Sequence, residues 1–347
     1  MSFFGSTTPR LNLALQGGGA HGAFTWGVLD ALLEDGRVEL DGVSGSSAGA
    51  MNGVLLAQGL MDGGPEGARA ALQRFWTAVA SALPDAMTVS SGDGQNVGLT
   101  PVFKLMLHWT HYLSPEQINP FDLNPLRDIL NRQVDFARLR QASPIKLFVA
   151  ATQANSGRLR LFRNADLSCE AVLASACLPS VHRAIEIDGE PYWDGAYAAN
   201  PAVFPLFHEC RTRDTLLVLL SPLRHKNTPG SAQEIQQRAM EIAFNSNFLR
   251  EMRMFAHLRQ PLPRRHFGWL PSLPLGRLER RLRQARFHLI EAGDVLGEFK
   301  TETKMAANLK FFERLKSLGR GRGQAWLAQH HAALGRRSTV DLEALFL

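Results

Sequence analysis

The chain has 347 residues, 45% of them apolar, with three cysteines and a net charge of +6 at pH 7. That length can bury a large core and suggests about two domains, while Cys169, Cys177 and Cys210 form no CxxC pair and fit neither a disulfide framework nor a zinc site, which favours a reducing compartment. No apolar run approaches the roughly 20 residues of a membrane-spanning helix, and residues 1–10 lack the basic-then-apolar order of a secretory leader, so the expectation is a cytoplasmic protein.

Leu11 to Gln16 alternates apolar and polar and runs straight into Gly17-Gly18-Gly19-Ala20-His21-Gly22, which predicts a first strand, a glycine turn and a helix from about Ala20 to Leu33. Val43 and Ser44 lead into a second tight turn, Gly45-Ser46-Ser47-Ala48-Gly49, and Ala48 to Gln58 reads as helix. Ser81 to Asn124 has no steady period; its apolar run Val102–Leu113 fits either an ordinary helix on the core or a lid over an acyl pocket. Ile145–Thr152 and Thr215–Leu220 read as strands, and Ala184–Trp193 as a hairpin turning at Asp188-Gly189. Strands separated by helices imply a mostly parallel sheet covered on both faces, a three-layer α/β/α core over about 8–225. Residues 231–347 carry helical patterns at Glu234–Leu258, Leu278–Ile290 and Thr303–Leu318, broken by a linker, Gln260–Gly276, with four prolines.

The two glycine turns carry the chemistry. GxSxG after a strand and before a helix is the pattern of a nucleophile elbow, where small residues allow a sharp bend and Ser47 sits at a helix N-terminus that favours developing negative charge. Gly17, Gly19 and Gly22 also satisfy the dinucleotide fingerprint GxGxxG, with Glu39 or Asp41 near the distance of a ribose-binding acid; that reading makes the Ser47 turn a coincidence. Beside a serine, the same glycines expose amides to an oxyanion. Ser47 needs a base. Ser47, Asp194 and His225 follow the order of an α/β-hydrolase triad, but only about two strands precede Ser47, too few for that fold, and a lone histidine such as His182 or His208 is more often structural. Asp194-Gly195 fits a base at a strand end or a plain turn, and spacing leaves both open.

The glycine turn, the Ser47 turn, Asp194-Gly195-Ala196 and Ala174-Ser175-Ala176-Cys177-Leu178-Pro179 together resemble the patatin-like phospholipase family over roughly residues 10–220. The resemblance implies a Ser–Asp dyad without histidine: Ser47 as nucleophile and Asp194 as general base, with Gly17, Gly18 and Gly19 as the oxyanion-hole set. Gly22, Gly45, Gly49 and Gly195 support the motifs. It further implies lipid acyl esters as substrates and no metal or organic cofactor. His21 stands where this family commonly has Arg or Lys, which leaves esters of neutral lipid or storage polyester open beside phospholipids.

Between Arg250 and Ile290 there are ten arginines, no lysine, no aspartate and two glutamates, a balance of +8; +6 less +8 leaves −2 for the rest. Together with Met252, Met254, Phe255, Phe267, Trp269 and Phe287, this stretch fits an anionic membrane or granule surface. It equally fits solvated or internally paired arginines, and only weakly the stacking surface of a nucleic-acid binder. The expectation is a serine acyl hydrolase (catalytic region 8–225, lid 81–124, helical basic region 231–347), peripheral at the inner membrane or at a lipid or polyester granule, with no nucleic-acid partner. A lipid-surface-binding protein without activity and a dinucleotide-dependent oxidoreductase are the alternatives.

Overall fold

Strand β1 (Arg10–Leu15) is buried at every position from Leu11 to Leu15, as an interior strand covered on both faces must be. In this computed structural model, which describes residues 8–82, 88–90, 97–109, 112–225, 227–260, 277–297, 299 and 301–347, the further strands are β2 (Glu39–Gly45), β3 (Thr88–Ser90), β4 (Val97–Leu99), β5 (Lys146–Gln153), β6 (Leu159–Arg163), β7 (Ile185–Ile187), β8 (Glu190–Asp194), β9 (Asp214–Leu219) and β10 (Arg286–Glu291). Eight of them form one sheet in the order β10-β9-β1-β2-β5-β8-β7, with β6 paired to β5; β3 and β4 pair separately. From β10 to β5 the neighbours are parallel, and the pairings β5–β6, β5–β8 and β8–β7 are antiparallel. The β7–β8 hairpin turns at Asp188 (φ 54°) and Gly189 (φ 78°), both left-handed, as a two-residue hairpin of the primed type requires.

The helices are α1 (Gly22–Asp35), α2 (Ala48–Ala82), α3 (Pro101–Trp109), α4 (Pro115–Ile118), α5 (Pro125–Gln133), α6 (Phe136–Ala142), α7 (Cys169–Ser175), α8 (Phe204–Glu209), α9 (Ala232–Arg259), α10 (Arg277–Gln284), α11 (Gly293–Leu296), α12 (Leu309–His330) and α13 (Leu342–Phe346). Alternation along the strands divides them between two faces. Leu13, Leu15, Val43, Leu216 and Val218 share one apolar cluster with residues of α1, α2 and α12. Ala14, Phe148, Leu217, Leu219 and Phe287 share the other with α8, α9 and α13. The architecture is a three-layer α/β/α fold with a mostly parallel sheet, and among the described residues no helix is long and apolar enough to cross a membrane.

Two stretches differ from the sequence expectation. The helix expected over Leu278–Ile290 ends at Gln284, and Arg286–Glu291 is instead the edge strand β10, laddered to β9 from Arg286↔Asp214 onward. The helix expected from Thr303 begins at Leu309, where Asn308 caps the Phe311 amide. It packs closely on α1: a Cβ on Gly27 would collide with the Lys316 carbonyl, and one on Gly319 with the Phe24 carbonyl. The C-terminal region therefore supplies both a strand and a covering helix to the sheet. The prolines at 261, 263, 271 and 274 and residues 91–96 lie outside the described residues.

Candidate active site

The parallel strands β1 and β2 end side by side, Leu15 opposite Gly45, and both glycine turns leave from that carboxyl end, where open α/β sheets bind ligands. Ser47 stands at φ 52°, an uncommon left-handed conformation for a residue with a side chain, and α2 starts at once behind it. Gly45 and Gly49 make this bend feasible, because a Cβ on Gly45 would lie 2.5 Å from the Gly49 carbonyl carbon. Two partners hold the bend. The Ser47 amide donates to the Ser175 carbonyl at 3.0 Å and to the Ser175 hydroxyl at 2.9 Å. The Ser46 hydroxyl donates to Asn200 Oδ1 at 2.6 Å.

The same Asn200 oxygen accepts the Gly17 amide at 2.7 Å. Asn200 thus ties the two turns together, and the expectation that Gly17 belongs to the oxyanion-hole set meets an amide already engaged. Gly18 is extended (φ −179°), whereas Gly19 is left-handed (φ 58°), and a Cβ there would strike the Lys304 carbonyl. Among the described residues the amides of Gly18 and Gly19 have no partner. Gly22 begins α1 against Ala48 at the start of α2.

Asp194 ends β8 opposite Ala151 of β5. Its amide donates to the Cys177 carbonyl at 2.8 Å, and its carbonyl accepts the Thr152 hydroxyl at 2.8 Å, so the backbone is pinned on two sides. Gly195 behind it leaves no room for a Cβ against the Ala150 carbonyl. The carboxylate is only 2% exposed. Burial pushes its pKa up to about 7, against two hydrogen bonds that favour the charged form, from the Ala196 amide at 2.8 Å and from the Ser47 side chain.

His21, His208 and His225 are engaged elsewhere. His21 is buried, its Nε2 lies 2.8 Å from Thr303 Oγ1, and its ring contacts Phe299 and Phe311. Burial, with the nearby Lys304 charge, lowers its pKa to about 3, so it is neutral at pH 7. His225 pairs with Glu241 at 3.0 Å, and the His208 ring meets Phe204 and Phe207 edge to face. Among the described residues no histidine, including His182, hydrogen-bonds Ser47 or Asp194. The acids of the dinucleotide reading are also misplaced. Glu39 pairs with Arg10 and Asp41 accepts the Arg211 and Thr212 amides, both at the start of β2, opposite the glycine turn.

Within 250–290, Met252, Phe255 and Phe287 are core residues rather than surface anchors. Several of its arginines have internal partners: Arg286 pairs with Asp214, and Arg253 and Arg259 donate to the Phe346 and Ala285 carbonyls. Phe267 and Trp269 lie outside the described residues.

Sequence reasoning missed Asn200 and the part played by Ser175. Asn200 is the one amide side chain in the run Gly195–Val203, which is otherwise small or apolar apart from Tyr197. Its position before Pro201 gives no hint that it reaches back to residues 17 and 46.

The patatin-like phospholipase family model matches residues 13–207. Similar curated proteins include an uncharacterized NTE family protein of Mycobacterium bovis and one of Mycobacterium tuberculosis, each 31% identical over 191 residues. The alignment covers 55% of this chain and 44% of each relative, so the chain spans less than half the length of the curated relatives it matches. Among solved structures, the crystal structure of VipD from Legionella pneumophila aligns with a TM-score of 0.45 at 17% sequence identity, covering 93% of this chain and 67% of that one.

Proposed function

The chain belongs to the patatin-like phospholipase family, and from that premise we propose that it is a lipid acyl hydrolase working through Ser47 and Asp194. The observation that carries this reading is the meeting of a serine held at φ 52° on a strand-to-helix bend with a buried carboxylate whose pKa the serine side chain lowers. Ser47 Oγ attacks the acyl carbonyl while its proton passes to Asp194. The Gly18 and Gly19 amides receive the oxyanion; loss of one such donor typically costs on the order of 3 kcal/mol of transition-state stabilisation. Collapse of the tetrahedral intermediate releases the alcohol, which takes the proton from Asp194 and leaves Ser47 acylated. A water then attacks the acyl-enzyme while Asp194 takes one of its protons, and collapse of the second tetrahedral intermediate breaks the Ser47 Oγ–acyl bond, returns that proton from Asp194 to Oγ and releases the fatty acid. Asn200 and Ser175 position the two turns and touch no reacting atom.

A fluorophosphonate probe tests this directly, because it reacts only with an activated serine. A single adduct, located on Ser47 by mass spectrometry, is the expected result. An adduct elsewhere, or none with and without lipid vesicles, defeats the proposal.

The lipid surface has a natural place to dock. Val102, Leu105 and Trp109 recur at helical spacing on one exposed face of α3, with Val102 78% exposed, and Phe121 beyond it is 82% exposed. Phe103 packs against the core instead, and Lys104 pairs with Glu302 at 3.0 Å, next to the Thr303 that meets His21. This ties α3 to the segment flanking the glycine turn. An apolar face with a tryptophan at its end suits the membrane interface. Val102→Asp combined with Leu105→Asp is expected to lower hydrolysis of vesicle lipid by roughly tenfold or more, since each side chain forfeits about 1.5–3 kcal/mol of burial in the lipid. Hydrolysis of a soluble short-chain ester is expected to stay within twofold, and an equal loss on both substrates would remove the docking role.

A further inference from the structure

The far end of the sheet from Ser47 carries a concentrated positive charge. Arg211 and Arg213 lie just before β9, and Arg280 and Arg281 lie near the end of α10, just before β10. Because β9 and β10 are parallel neighbours, their starting ends lie side by side, and these four guanidinium groups line one cleft of about 520 Å³. The other end of β9 reaches the catalytic side, where a Cβ on Gly18 would lie 2.9 Å from the Leu220 side chain. A strand of this length spans roughly 20 Å at about 3.3 Å per residue, so the cleft is separate from Ser47.

Among the described residues, the carboxylates close in sequence or structure to these arginines are engaged. Asp214 binds Arg286 at 2.6 Å and His288 at 3.1 Å. Asp41 accepts the backbone amides of Arg211 and Thr212, and Glu209 pairs with Arg163 at 2.7 Å. Arg281 gives one nitrogen to the Cys210 carbonyl and rests 5.7 Å from the centre of the Phe207 ring, which fixes its fork at the cleft wall. Among the described residues the side chains of Arg211, Arg213 and Arg280 have no hydrogen-bond or ion-pair partner. Like charges held together repel, and a bound anion relieves that repulsion. Guanidinium forks match phosphate oxygens in pairs, and among the described residues no carboxylate lines the cleft to occupy those of Arg211, Arg213 and Arg280.

We propose that this cleft binds an anion carrying two or more phosphate groups. Four positive charges exceed what one phosphate neutralises, and the volume admits a larger ligand. The same chemistry is presented by a soluble polyphosphorylated small molecule and by the headgroup of a polyphosphorylated lipid. In either case the ligand sits at the pole away from Ser47, where it is not the ester being cleaved.

Calorimetric titration of the full chain with inositol hexakisphosphate tests the site, alongside flotation with phosphatidylcholine vesicles with and without phosphatidylinositol bisphosphate. Saturable binding that weakens with salt is expected. Arg211→Glu and Arg280→Glu, both on exposed side chains, should each weaken it tenfold or more, whereas Arg74→Glu, an equal charge change on α2, should leave it within twofold. Binding of hexakisphosphate without vesicle retention assigns a soluble anion; retention on the bisphosphate vesicles that hexakisphosphate competes away assigns a lipid headgroup. No binding of hexakisphosphate, or equal losses in the cleft variants and the Arg74 control, overturns the proposal. Fluorophosphonate labelling of Ser47 in the same variants reports separately on the hydrolase, so the two readings fail independently.

Discussion

Ser47→Ala is expected to abolish ester turnover and fluorophosphonate labelling while leaving the fold intact. The hydroxyl, with its interaction with Asp194, is the only group removed. The amide bonds to Ser175 that hold the bend come from the backbone and survive, and alanine meets the same left-handed strain as serine at φ 52°. Loss of a serine nucleophile from a hydrolase built on an oxyanion hole lowers kcat by on the order of 10⁶. Thermal unfolding of the variant should stay within a few degrees of the parent. Turnover within tenfold of the parent would show that another group attacks the ester.

Asp194→Asn is expected to lower turnover by roughly 10⁴, the order seen when the acid of a catalytic set is replaced by its amide, and to raise stability above neutral pH. Asparagine keeps the shape and can still accept the Ala196 amide, but it cannot take the Ser47 proton. The pH dependence follows from the same burial. The folded carboxyl titrates at about 7, against an ordinary value of 3.8. Activity that needs the ionised form should therefore rise as pH passes through about 7 and then level off. Between those two values the folded protein keeps a proton that the unfolded chain has released, so stability falls as pH rises through the window. The slope is at most about 1.4 kcal/mol per unit, or roughly 4 kcal/mol in all. Asparagine removes that loss, so denaturant unfolding should show the variant gaining on the parent from pH 4 to pH 7 and holding the gain above. Glu251, half-buried and also raised by desolvation to about 7, contributes the same sign in both proteins and cancels in the comparison. A mild effect on turnover would show that a group other than Asp194 takes the Ser47 proton; an unchanged stability difference between pH 4 and pH 8 would show that Asp194 is not desolvated as its burial implies.

Much of the architecture was legible because its causes are local. Alternating apolar residues ending in glycines specify β1 and its turn, since the side-chain period of two and the freedom of glycine act within a few residues. The same holds for β2 and the Ser47 bend, and for the hairpin turning at Asp188-Gly189. The Leu278–Ile290 stretch was misread because its apolar residues satisfy either period, and the unpaired strand edge of β9 decides the matter only once the chain has folded.

The sequence by itself determined the strand–turn–helix units around β1 and β2, the two glycine turns, and which residue types stand at the bends, because backbone sterics and short-range periodicity need no distant partner. Tertiary structure alone decided which amides are engaged and which are free. Asn200 captures the Gly17 amide from 183 residues away, and Ser175 captures the Ser47 amide from 128 residues away. It alone set the proton affinity of Asp194, which comes from exclusion of water by residues of other elements, and it alone gathered Arg211, Arg213, Arg280 and Arg281 at one end of two neighbouring strands. Hydrogen bonds and desolvation across such separations leave no spacing in the chain, because they depend on which surfaces meet and not on how many residues lie between them.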